Sequence, residues 1–452
     1  MNEDVPPIRR PRAAVAGPYR PSSMVRTPWG DSEELRRRAL APGRGADRAA
    51  ARKNQRERLF GAMVAAVAEH GYEETRVADV VELSGVSRKS FYEHFAGKQD
   101  CFLATAQALV DAGLGVVAHH YRAEGPWGER VRSALEAFVA LLVDQPAAAR
   151  LCFVEIYAAG SEAIDPVERA FGEFAALVAE GLEGLPDYRG MPPEIPRAIV
   201  GGLRKVLHTR LHRGEAAELT GLAPQLWEWG MSYHPPPQPL AKGRRVRRLP
   251  GRAPRPADYE DPERLIRATA EVVGERGYGA TTVGAIVERA STSLSTFYAH
   301  FPDKESALLA ALDSGGSLLL AKVLPAYRRN AADWPRAIRA SFAAMFAFAV
   351  EEPAFAHLGG VEVYGAGDDA LAQRDAVMEG LQALLAQGYE RSPDTSPIAA
   401  EAIGGAVYAL TYDQIRATGP ESLPELTPLA TYIALAPFLG AEEAVAVAND
   451  GR

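Results

Sequence analysis

The stretch VSRKSFYEHF at residues 86–95 has a counterpart, TSLSTFYAHF, at residues 292–301. Both end in Phe-Tyr-x-His-Phe, although the residues before that ending differ. The similarity extends outward without a gap, because residues 57–105 align with 263–311 and 20 of the 49 positions are identical. A period of this length is far longer than that of a solenoid. We therefore predict that the 452-residue chain contains one unit twice, as a first and a second repeat.

Apolar residues follow a helical spacing in almost all of each repeat. In the first repeat, Leu59 and Met63 share one face of a helix that stops at Gly71. Two short helices, at about 77–83 and 88–94, then flank a glycine turn, which is helix-turn-helix spacing. No stretch alternates apolar and polar residues as a strand does. The pattern predicts an all-α fold, in which each repeat is a three-helix, helix-turn-helix domain followed by a helical bundle.

Composition predicts where these domains begin and end. Residues 1–45 are rich in Pro, Arg and Gly, which is typical of a disordered basic arm. Residues 232–257 are rich in Pro and Arg, which is typical of an extended basic linker. The helix-turn-helix domains are predicted at 50–105 and 258–311, and the helical bundles at 106–231 and 312–447.

Positive charge is concentrated in two blocks of a chain whose net charge is −8 at pH 7. Residues 1–60 hold 14 Lys and Arg against 7 Asp and Glu, and residues 241–256 hold 7 Lys and Arg with no acid. Each block precedes one helix-turn-helix segment. Basic side chains placed there can follow a phosphate backbone or enter a minor groove.

The second short helix of the first repeat has the composition of a DNA-reading helix. Ser87 stands at the N-cap, and Phe91 and Phe95 share the face that fills a three-helix core. Arg88 and Lys89 then point outward, where such residues bind guanine edges and phosphates. A basic stretch is also commonly a solvated face of an ordinary all-α protein. Two copies, each behind its own basic segment, favour DNA binding.

The run T-x-V-x-x-(V/I)-V-E-x-(S/A)-x-x-S-x-x-(S/T)-F-Y-x-H-F-x-x-K occurs at 75–98 and 281–304 and resembles the DNA-binding domain of TetR-family transcriptional regulators. The resemblance implies that the second helix of the motif enters the major groove. It also implies that the bundle behind it binds a small-molecule effector and dimerises, and that effector binding releases the DNA. Carried over by position, the DNA-binding residues would be Thr75, Arg76, Ser87, Arg88, Lys89, Ser90, Tyr92, His94 and Lys98 in the first repeat, and Thr281, Thr282, Ser293, Leu294, Ser295, Thr296, Tyr298, His300 and Lys304 in the second.

The second repeat departs from this pattern at two places. Ser291 stands where the first repeat has Gly85 in the turn, and a left-handed backbone costs Ser more than Gly. Leu294 and Ser295 replace the Arg-Lys pair at the start of the recognition helix. We therefore predict that the second domain binds DNA more weakly, or reads a T-rich edge through the Leu294 methyl groups.

Regulators of this family usually act as homodimers, and here two subunits are predicted to be fused. The linker is long enough to return from the end of the first bundle to a DNA-facing side. We expect an intramolecular pseudo-dimer, in which residues at about 196–231 pack against those at about 397–445. A homodimer of tandem chains, with four reading heads, is the rival arrangement.

A shared V-E-(I/V)-Y motif gives candidates for effector contacts in the bundles. Glu155 and Tyr157 in the first repeat, and Glu362 and Tyr364 in the second, could recognise a cationic or hydroxylated ligand. The commoner alternative is a Glu that pairs with an Arg across the bundle and a Tyr that packs.

The sequence gives little support for disulfides, metal binding or catalysis. Cys101 and Cys152 are too few for a disulfide framework or a metal site, and no phosphate-loop, zinc-protease or nucleophile-elbow motif occurs. We therefore expect no catalysis, no cofactor and no metal. No signal segment and no apolar run of membrane-spanning length are visible, so we expect a cytoplasmic protein with no membrane partner.

The sequence favours a ligand-responsive repressor that binds a double-stranded DNA operator and is released by a small-molecule effector. It identifies neither the effector nor the operator. A constitutive or architectural DNA-binding protein is the first alternative, and an all-α enzyme that shares the motif is the second.

Overall fold

The computed structural model describes residues 24–40, 48–243 and 259–450. Within these ranges every regular element is a helix or a 3-10 turn, so the all-α prediction is confirmed. The helices are α1 (Arg48–Glu74), α2 (Val77–Ser84), α3 (Arg88–His94), α4 (Lys98–Tyr121), α5 (Trp127–Asp144), α6 (Pro146–Phe153), α7 (Ser161–Glu183), α8 (Glu194–His212), α9 (Leu219–Met231), α10 (Asp261–Arg276), α11 (Val283–Arg289), α12 (Leu294–His300), α13 (Lys304–Arg329), α14 (Trp334–Glu351), α15 (Pro353–Gly360), α16 (Asp368–Gln382), α17 (Ala386–Arg391), α18 (Ala399–Thr418) and α19 (Thr427–Asn449).

Packing divides the chain into two compact units whose limits differ from those of the repeats. The first unit holds the described residues of Val15–Val178 and Val206–Trp227. The second unit holds those of Ala179–Lys205 and Glu228–Arg452. It therefore takes in the beginning of α8 and the end of α9, which belong to the first repeat. Each unit contains one helix-turn-helix domain.

The first unit is built on α1, which packs against α2 and α4. Leu59 and Met63 on α1, Phe91 on α3 and Phe102 on α4 are completely buried and contribute to its core. Behind this domain, α4 packs along α5, and α6 contacts α1, α4 and α5. Gly71, at φ 74°, interrupts α1, so the chain changes direction before the helix-turn-helix begins.

The turns of the two helix-turn-helix motifs share one backbone conformation in spite of their different residues. Gly85, after α2, has φ 63°, and its N–H donates to the Val81 carbonyl. Ser291, after α11, has φ 53° and is the one non-glycine residue with positive φ in the described ranges. The left-handed serine expected from the sequence is therefore present, and it carries backbone strain that Gly85 avoids.

The prediction of a disordered arm over residues 1–45 is wrong for residues 24–40, which fold onto the first unit as an ordered strap. Leu35 is completely buried and, with Thr27, covers Gly61 of α1. Burial of this apolar surface stabilises a segment whose Pro- and Arg-rich composition indicated disorder. The rest of the predicted arm lies outside the described residues.

The second unit repeats this plan with α10–α12 and the helices that follow. Leu265, Ile286, Phe297 and Phe301 form part of a buried cluster in its helix-turn-helix domain. A second cluster, which includes Leu308, joins α10 to α13 and α15. α14 packs against both α13 and α19.

The beginning of α8 crosses α18 closely within the second unit. A Cβ atom on Gly201 would lie 2.3 Å from the Ala409 Cβ, and one on Gly405 would lie 3.1 Å from the Gly201 carbonyl oxygen. The Arg197 guanidinium pairs with the Asp413 carboxylate at 2.9 Å. Glycine thus permits the close approach of the two helices, and an ion pair flanks it.

Residues 232–243, predicted as part of the linker, are fastened to α19 in the second unit. The buried Tyr233 donates its hydroxyl to the Ile433 carbonyl at 2.9 Å. Further along, the Ala241 N–H donates to Asn449 Oδ1 at 2.7 Å. A Tyr that buries its ring and satisfies its hydroxyl anchors such a segment firmly. The rest of the predicted linker lies outside the described residues.

Three segments of the described ranges are helical, long and apolar enough to cross a membrane, judged by length and composition alone. They are α4, α13 and Pro420–Asn449, which includes α19. In the structure, α4 packs along α5, and α13 and α19 pack against α14.

Candidate nucleic-acid interface and cavity

The recognition helix of the first unit, α3, begins at a capped turn. The Ser87 hydroxyl accepts the Ser90 N–H at 3.1 Å, which is the N-cap expected from the sequence. Phe91 and Phe95 are buried, so the opposite face of the helix is free. The exposed side chains on that face are those of Ser87, Arg88, Lys89 and Tyr92.

The recognition helix of the second unit, α12, has the same cap and a different surface. The Ser293 hydroxyl accepts the Thr296 N–H at 3.1 Å, and Phe297 is completely buried. Leu294 is 52% exposed and Tyr298 57% exposed. Ser295 and His300 are exposed as well. A leucine and an uncharged serine, Leu294 and Ser295, therefore stand where the first unit presents two cations.

The helix before each recognition helix begins at a residue that the resemblance assigns to DNA. Arg76 is the N-cap of α2, and its N–H donates to the Asp79 carboxylate at 2.7 Å. Thr282 is the N-cap of α11, and its hydroxyl accepts the Ala285 N–H at 3.2 Å. Both residues are exposed, so both positions are accessible to a phosphate.

Thr75 and Thr281, which received the same assignment, are buried. The Thr75 hydroxyl donates to the Gly71 carbonyl at 2.6 Å. The Thr281 hydroxyl donates to the Gly277 carbonyl at 2.8 Å. Each threonine thus stabilises the bend after the first helix of its domain, and its contact with DNA stays a prediction.

Lys98 and Lys304 also have partners inside their own domains. Lys98 Nζ donates to the carbonyls of Tyr72 and Glu73 at 2.9 and 3.0 Å. Lys304 Nζ donates to the Tyr278 carbonyl at 3.0 Å. Lys98 therefore ties α4 to the last residues of α1, and Lys304 ties α13 to the turn after α10. Phosphate contacts by these lysines stay a prediction.

His94 and His300 occupy matching positions in different surroundings. His94 Nε2 lies 3.1 Å from Gln55 Oε1. Burial, with Arg52 and Arg56 nearby, lowers the pKa of His94 below its ordinary value. A neutral His94 can donate a hydrogen bond to a phosphate but adds no positive charge. His300 is exposed.

Among the described residues, the helix that begins each helix-turn-helix domain carries more positive charge in the first unit than in the second. When the two repeats are aligned, α1 starts earlier than α10. The additional residues at its start include Arg48, Arg52 and Lys53. α10 instead has Asp261 and Glu263 in its first turn. Weaker DNA binding by the second domain stays a prediction.

The helical bundle of the second unit contains a cavity of about 200 Å³. Its wall is built mainly by apolar side chains of α13, α14, α15, α16 and α18, among them Phe342, Phe346 and Phe355. The polar side chains at the wall are those of Ser341, Arg374, Gln382, Tyr408 and Thr411. A cavity with so apolar a wall favours an apolar ligand.

Glu155 and Tyr157, proposed from the sequence as ligand contacts, have protein partners in the first unit. Glu155 accepts the Tyr72 N–H at 3.0 Å, and Arg150 Nε lies 3.2 Å from its other carboxylate oxygen. The Tyr157 ring is buried and lies 5.9 Å from the ring of His208. The structure therefore contains the Glu–Arg pair that was the alternative interpretation of this motif.

Glu362, the counterpart of Glu155, is not among the residues that line the cavity of the second unit. It accepts the Tyr278 N–H instead. The side chain of Tyr364 lies outside the described residues. Ligand contacts by Glu155, Tyr157, Glu362 and Tyr364 stay a prediction.

The sequence around each helix-turn-helix matches the family described as bacterial regulatory proteins, tetR family, over residues 62–105 and 265–312. The chain therefore has two TetR-type DNA-binding domains. It carries two TetR-type units in tandem, so the resemblance stated from the sequence is confirmed.

Two curated HTH-type regulators match part of the chain. The uncharacterized HTH-type transcriptional regulator YezE of Bacillus subtilis is 29% identical over 86 residues, which are 19% of this chain and 44% of the relative. The HTH-type transcriptional activator FasR of Mycolicibacterium smegmatis is 28% identical over 106 residues, which are 24% of this chain and 48% of the relative. The chain thus spans about half the length of the curated relatives it matches. Among solved structures, the fatty acid degradation regulator FadR of Bacillus halodurans aligns over 97% of its own chain and 39% of this one, with 18% identity and a TM-score of 0.36.

The strap was not predicted from the sequence. Arg36 Nε on the strap donates to the Glu82 carbonyl at 2.5 Å, next to the helix-turn-helix. The Trp29 ring lies 5.1 Å from the Phe60 ring of α1. A Thr-Pro-Trp-Gly turn signal followed by the apolar Leu35 was the available indication that this segment is ordered.

The cavity-lining residues were missed as well. The phenylalanine-rich run FAAMFAFAV at 342–350 lies in α14, and Phe342, Phe346 and Phe348 all line the cavity. Such a run indicates a buried helix. It does not indicate whether the space beside that helix is filled.

Proposed function

We propose that the chain is a transcriptional regulator that binds double-stranded DNA through both helix-turn-helix domains. The observation that carries this proposal is the pair of recognition helices, α3 and α12, each held by buried phenylalanines and exposed on its opposite face. A helix presented in this way fits the major groove. The similarity to HTH-type transcriptional regulators supports the same function. We expect the regulator in the cytoplasm, where operator DNA is accessible.

The two domains read unlike half-sites in this proposal. Arg88 and Lys89 on α3 provide cations for guanine edges and phosphates. Leu294 on α12, at the position of Arg88, provides apolar surface for thymine methyl groups. The operator therefore has one guanine-containing half and one T-rich half.

A small apolar molecule is the proposed effector, and the cavity of the second unit is its proposed site. By analogy with the family, effector binding releases the DNA, so the chain acts as a repressor. The relative FasR is described as an activator. A reporter gene placed behind the operator distinguishes a repressor from an activator. The regulator lowers its expression in the first case and raises it in the second.

One chain provides both reading heads in this proposal, as an intramolecular pseudo-dimer. The close crossing of α8 and α18 at Gly201 and Gly405, with the Arg197–Asp413 ion pair beside it, supports this arrangement, because it joins helices of the two repeats. The alternative is a homodimer of tandem chains with four heads.

Selection of duplexes from a random library by the purified full chain tests the function. We expect one enriched site with two unlike halves, separated by about 10 base pairs, or one helical turn, as in dimeric helix-turn-helix proteins. Binding without sequence preference would instead support the architectural alternative. No binding by a folded chain would exclude both DNA-binding proposals.

Substitutions in the recognition helices then assign the half-sites. Arg88→Ala is expected to weaken binding about 10- to 100-fold, through one half-site only. Ser295→Ala is expected to have a smaller effect, confined to the other half. Arg122→Ala, an exposed arginine at the end of α4, is the matched control and should leave affinity unchanged. Equal effects of Arg88→Ala and Ser295→Ala at symmetry-related base pairs would contradict the asymmetry.

A further inference from the structure

Each helix-turn-helix domain is fastened to the bundle behind it by one glutamate. In the first unit Glu155 accepts the Tyr72 N–H at 3.0 Å. In the second unit Glu362 accepts the Tyr278 N–H. The glycine before each tyrosine has positive φ, 74° at Gly71 and 78° at Gly277, which turns the tyrosine amide away from its own helix. We refer to the two bonds as the first clasp (Tyr72–Glu155) and the second clasp (Tyr278–Glu362).

In the first clasp, Glu155 is also paired with a permanently charged side chain, that of Arg150. Arg150 Nε lies 3.2 Å from Glu155, and both side chains are almost buried, at 13% and 12% exposed. Arg150 Nη1 in turn donates to the carbonyls of Leu211 and His212, at 3.3 and 3.0 Å, in the last turn of α8. Charge-assisted bonds at low exposure are strong, so Glu155 is fixed on both sides.

The second clasp lacks this support. The repeats place His357 where the first unit has Arg150, each of them five residues before the clasp glutamate. His357 Nδ1 lies 4.0 Å from Glu362, beyond hydrogen-bond distance, and has no hydrogen-bond partner among the described residues. Burial lowers the pKa of His357 and raises that of Glu362. A neutral imidazole at this distance leaves Glu362 with one strong partner on the protein side, the Tyr278 amide.

The second clasp is also the one that adjoins the cavity. Phe355, Leu358 and Gly359 of α15 line the cavity, and α15 ends at Gly360, two residues before Glu362. The Tyr408 hydroxyl of α18, another residue of the wall, donates to the Gly360 carbonyl. A ligand that displaces α15 therefore also displaces the residue that holds the helix-turn-helix domain.

In the first unit the strap is a second connection between the helix-turn-helix domain and the bundle, in addition to the first clasp. Arg26 at one end pairs with Asp144 at the end of α5, at 2.8 Å, and Arg36 at the other end binds the Glu82 carbonyl. The Arg26–Asp144 pair is exposed and contributes little alone. Burial of Leu35 between these two ends makes the strap a continuous connection from bundle to reading head.

We propose that the effector acts on one helix-turn-helix domain only: the second clasp opens when the cavity fills, and the first clasp stays closed. Glu362 is then a positioning residue that connects the cavity to α12. His357, at the position of Arg150, allows it to move. This inference rests on the proposed function, because it states which of two DNA-reading domains responds to the ligand.

Hydrogen exchange of the tyrosine amides reports on each clasp directly, because a bonded amide exchanges only when the bond opens. In the full chain without ligand, the Tyr278 amide is expected to exchange about tenfold faster than the Tyr72 amide. His357→Arg should slow exchange at Tyr278, and Arg150→His should accelerate it at Tyr72. His119→Arg, which adds a charge at an exposed site on α4, is the matched control. Equal rates in the wild type, unchanged by the clasp substitutions, would overturn the proposal.

The response to ligand is measured with n-octanol as an apolar probe of the cavity. Saturating n-octanol is expected to accelerate exchange at Tyr278 severalfold, to leave Tyr72 unchanged, and to weaken binding through the α12 half-site alone. Glu362→Gln retains an acceptor oxygen and should retain the response. Glu362→Ala should exchange rapidly with or without n-octanol, and its circular dichroism shows whether it is folded. Acceleration at both tyrosines, or at neither, would contradict the inference.

The exchange measurement uses no DNA, so the two proposals fail separately. Symmetric clasps in a protein that selects a specific operator refute this inference alone. Absence of a selected operator refutes the proposed function.

Discussion

Ser291 carries a conformational cost that Gly85 avoids at the same turn. Its φ of 53° places the Cβ close to its own carbonyl oxygen, a conformation that costs an L-residue about 1–2 kcal/mol. Gly85, at φ 63°, has no Cβ and no such contact. The second helix-turn-helix is therefore built with a strained turn.

Replacement of Ser291 by Gly is expected to stabilise the second unit by about 0.5–1 kcal/mol, because relief of the strain exceeds the added entropy of the unfolded chain. Urea unfolding of the full chain, followed by circular dichroism, measures the change. Ser291→Ala is the matched control, since it removes the hydroxyl and keeps the Cβ. An equal gain in both variants would assign the effect to the hydroxyl and not to the backbone.

The residues of the recognition helices could be predicted because their partners are local. The Ser87 cap and the buried Phe91 and Phe95 follow from spacings of three and four residues within one helix. The partners of Lys98 could not be predicted in this way. The Tyr72 carbonyl that it binds is 26 residues away, and only tertiary packing brings the two together.

At the scale of elements, the crossing of α8 and α18 depends on glycine. Gly201→Leu is expected to destabilise the second unit by about 1–3 kcal/mol, because the site is already in contact with Ala409 and cannot take a larger side chain without moving a helix. Denaturation midpoints measure the loss. Gly221→Ala in α9 is the control, since a Cβ there meets nothing within 4 Å, and it should be neutral or slightly stabilising. Equal destabilisation by both would argue against a packed crossing.

The existence of the helices follows from apolar spacing, whereas the strap and the cavity do not. Leu35 is one apolar residue among charged neighbours, and it is buried only because Gly61 leaves room for it on α1. The cavity is a space among five helices, and the spacing along any one of them does not specify it. The strap and the cavity depend on how segments distant in sequence fit together, so the spacing of apolar residues within one segment cannot predict them.

At the scale of the whole molecule, ion pairs in the second unit join cations of the first repeat to carboxylates of the second. Arg197 pairs with Asp413 and Lys205 with Asp375, both at 2.9 Å. The cations lie on α8 and the carboxylates on α18 and α16, so each of these pairs joins the two repeats. Such a pattern favours pairing of unlike copies over pairing of like ones.

Multi-angle light scattering is expected to give a mass near 48.5 kDa, that of one chain. Arg197→Asp is expected to lower the denaturation midpoint, because it places two carboxylates together, and Arg197→Asp with Asp413→Arg is expected to restore it. A mass near twice that of the chain would support the homodimer with four heads. Failure of the double variant to recover would argue against the ion pair as a determinant of pairing.

The fastening of Tyr233 to α19 has a consequence for gene dosage. α9 ends at Met231, and Tyr233, two residues further on, already binds Ile433 of the second repeat. In the proposed pseudo-dimer this attachment holds the end of the first repeat against the second, whereas the subunits of an ordinary dimeric regulator must find each other in solution. For a regulator that works as proposed, the paired form is complete at any copy number. Operator occupancy then rises in simple proportion to the number of chains, without the threshold that a dissociating dimer imposes.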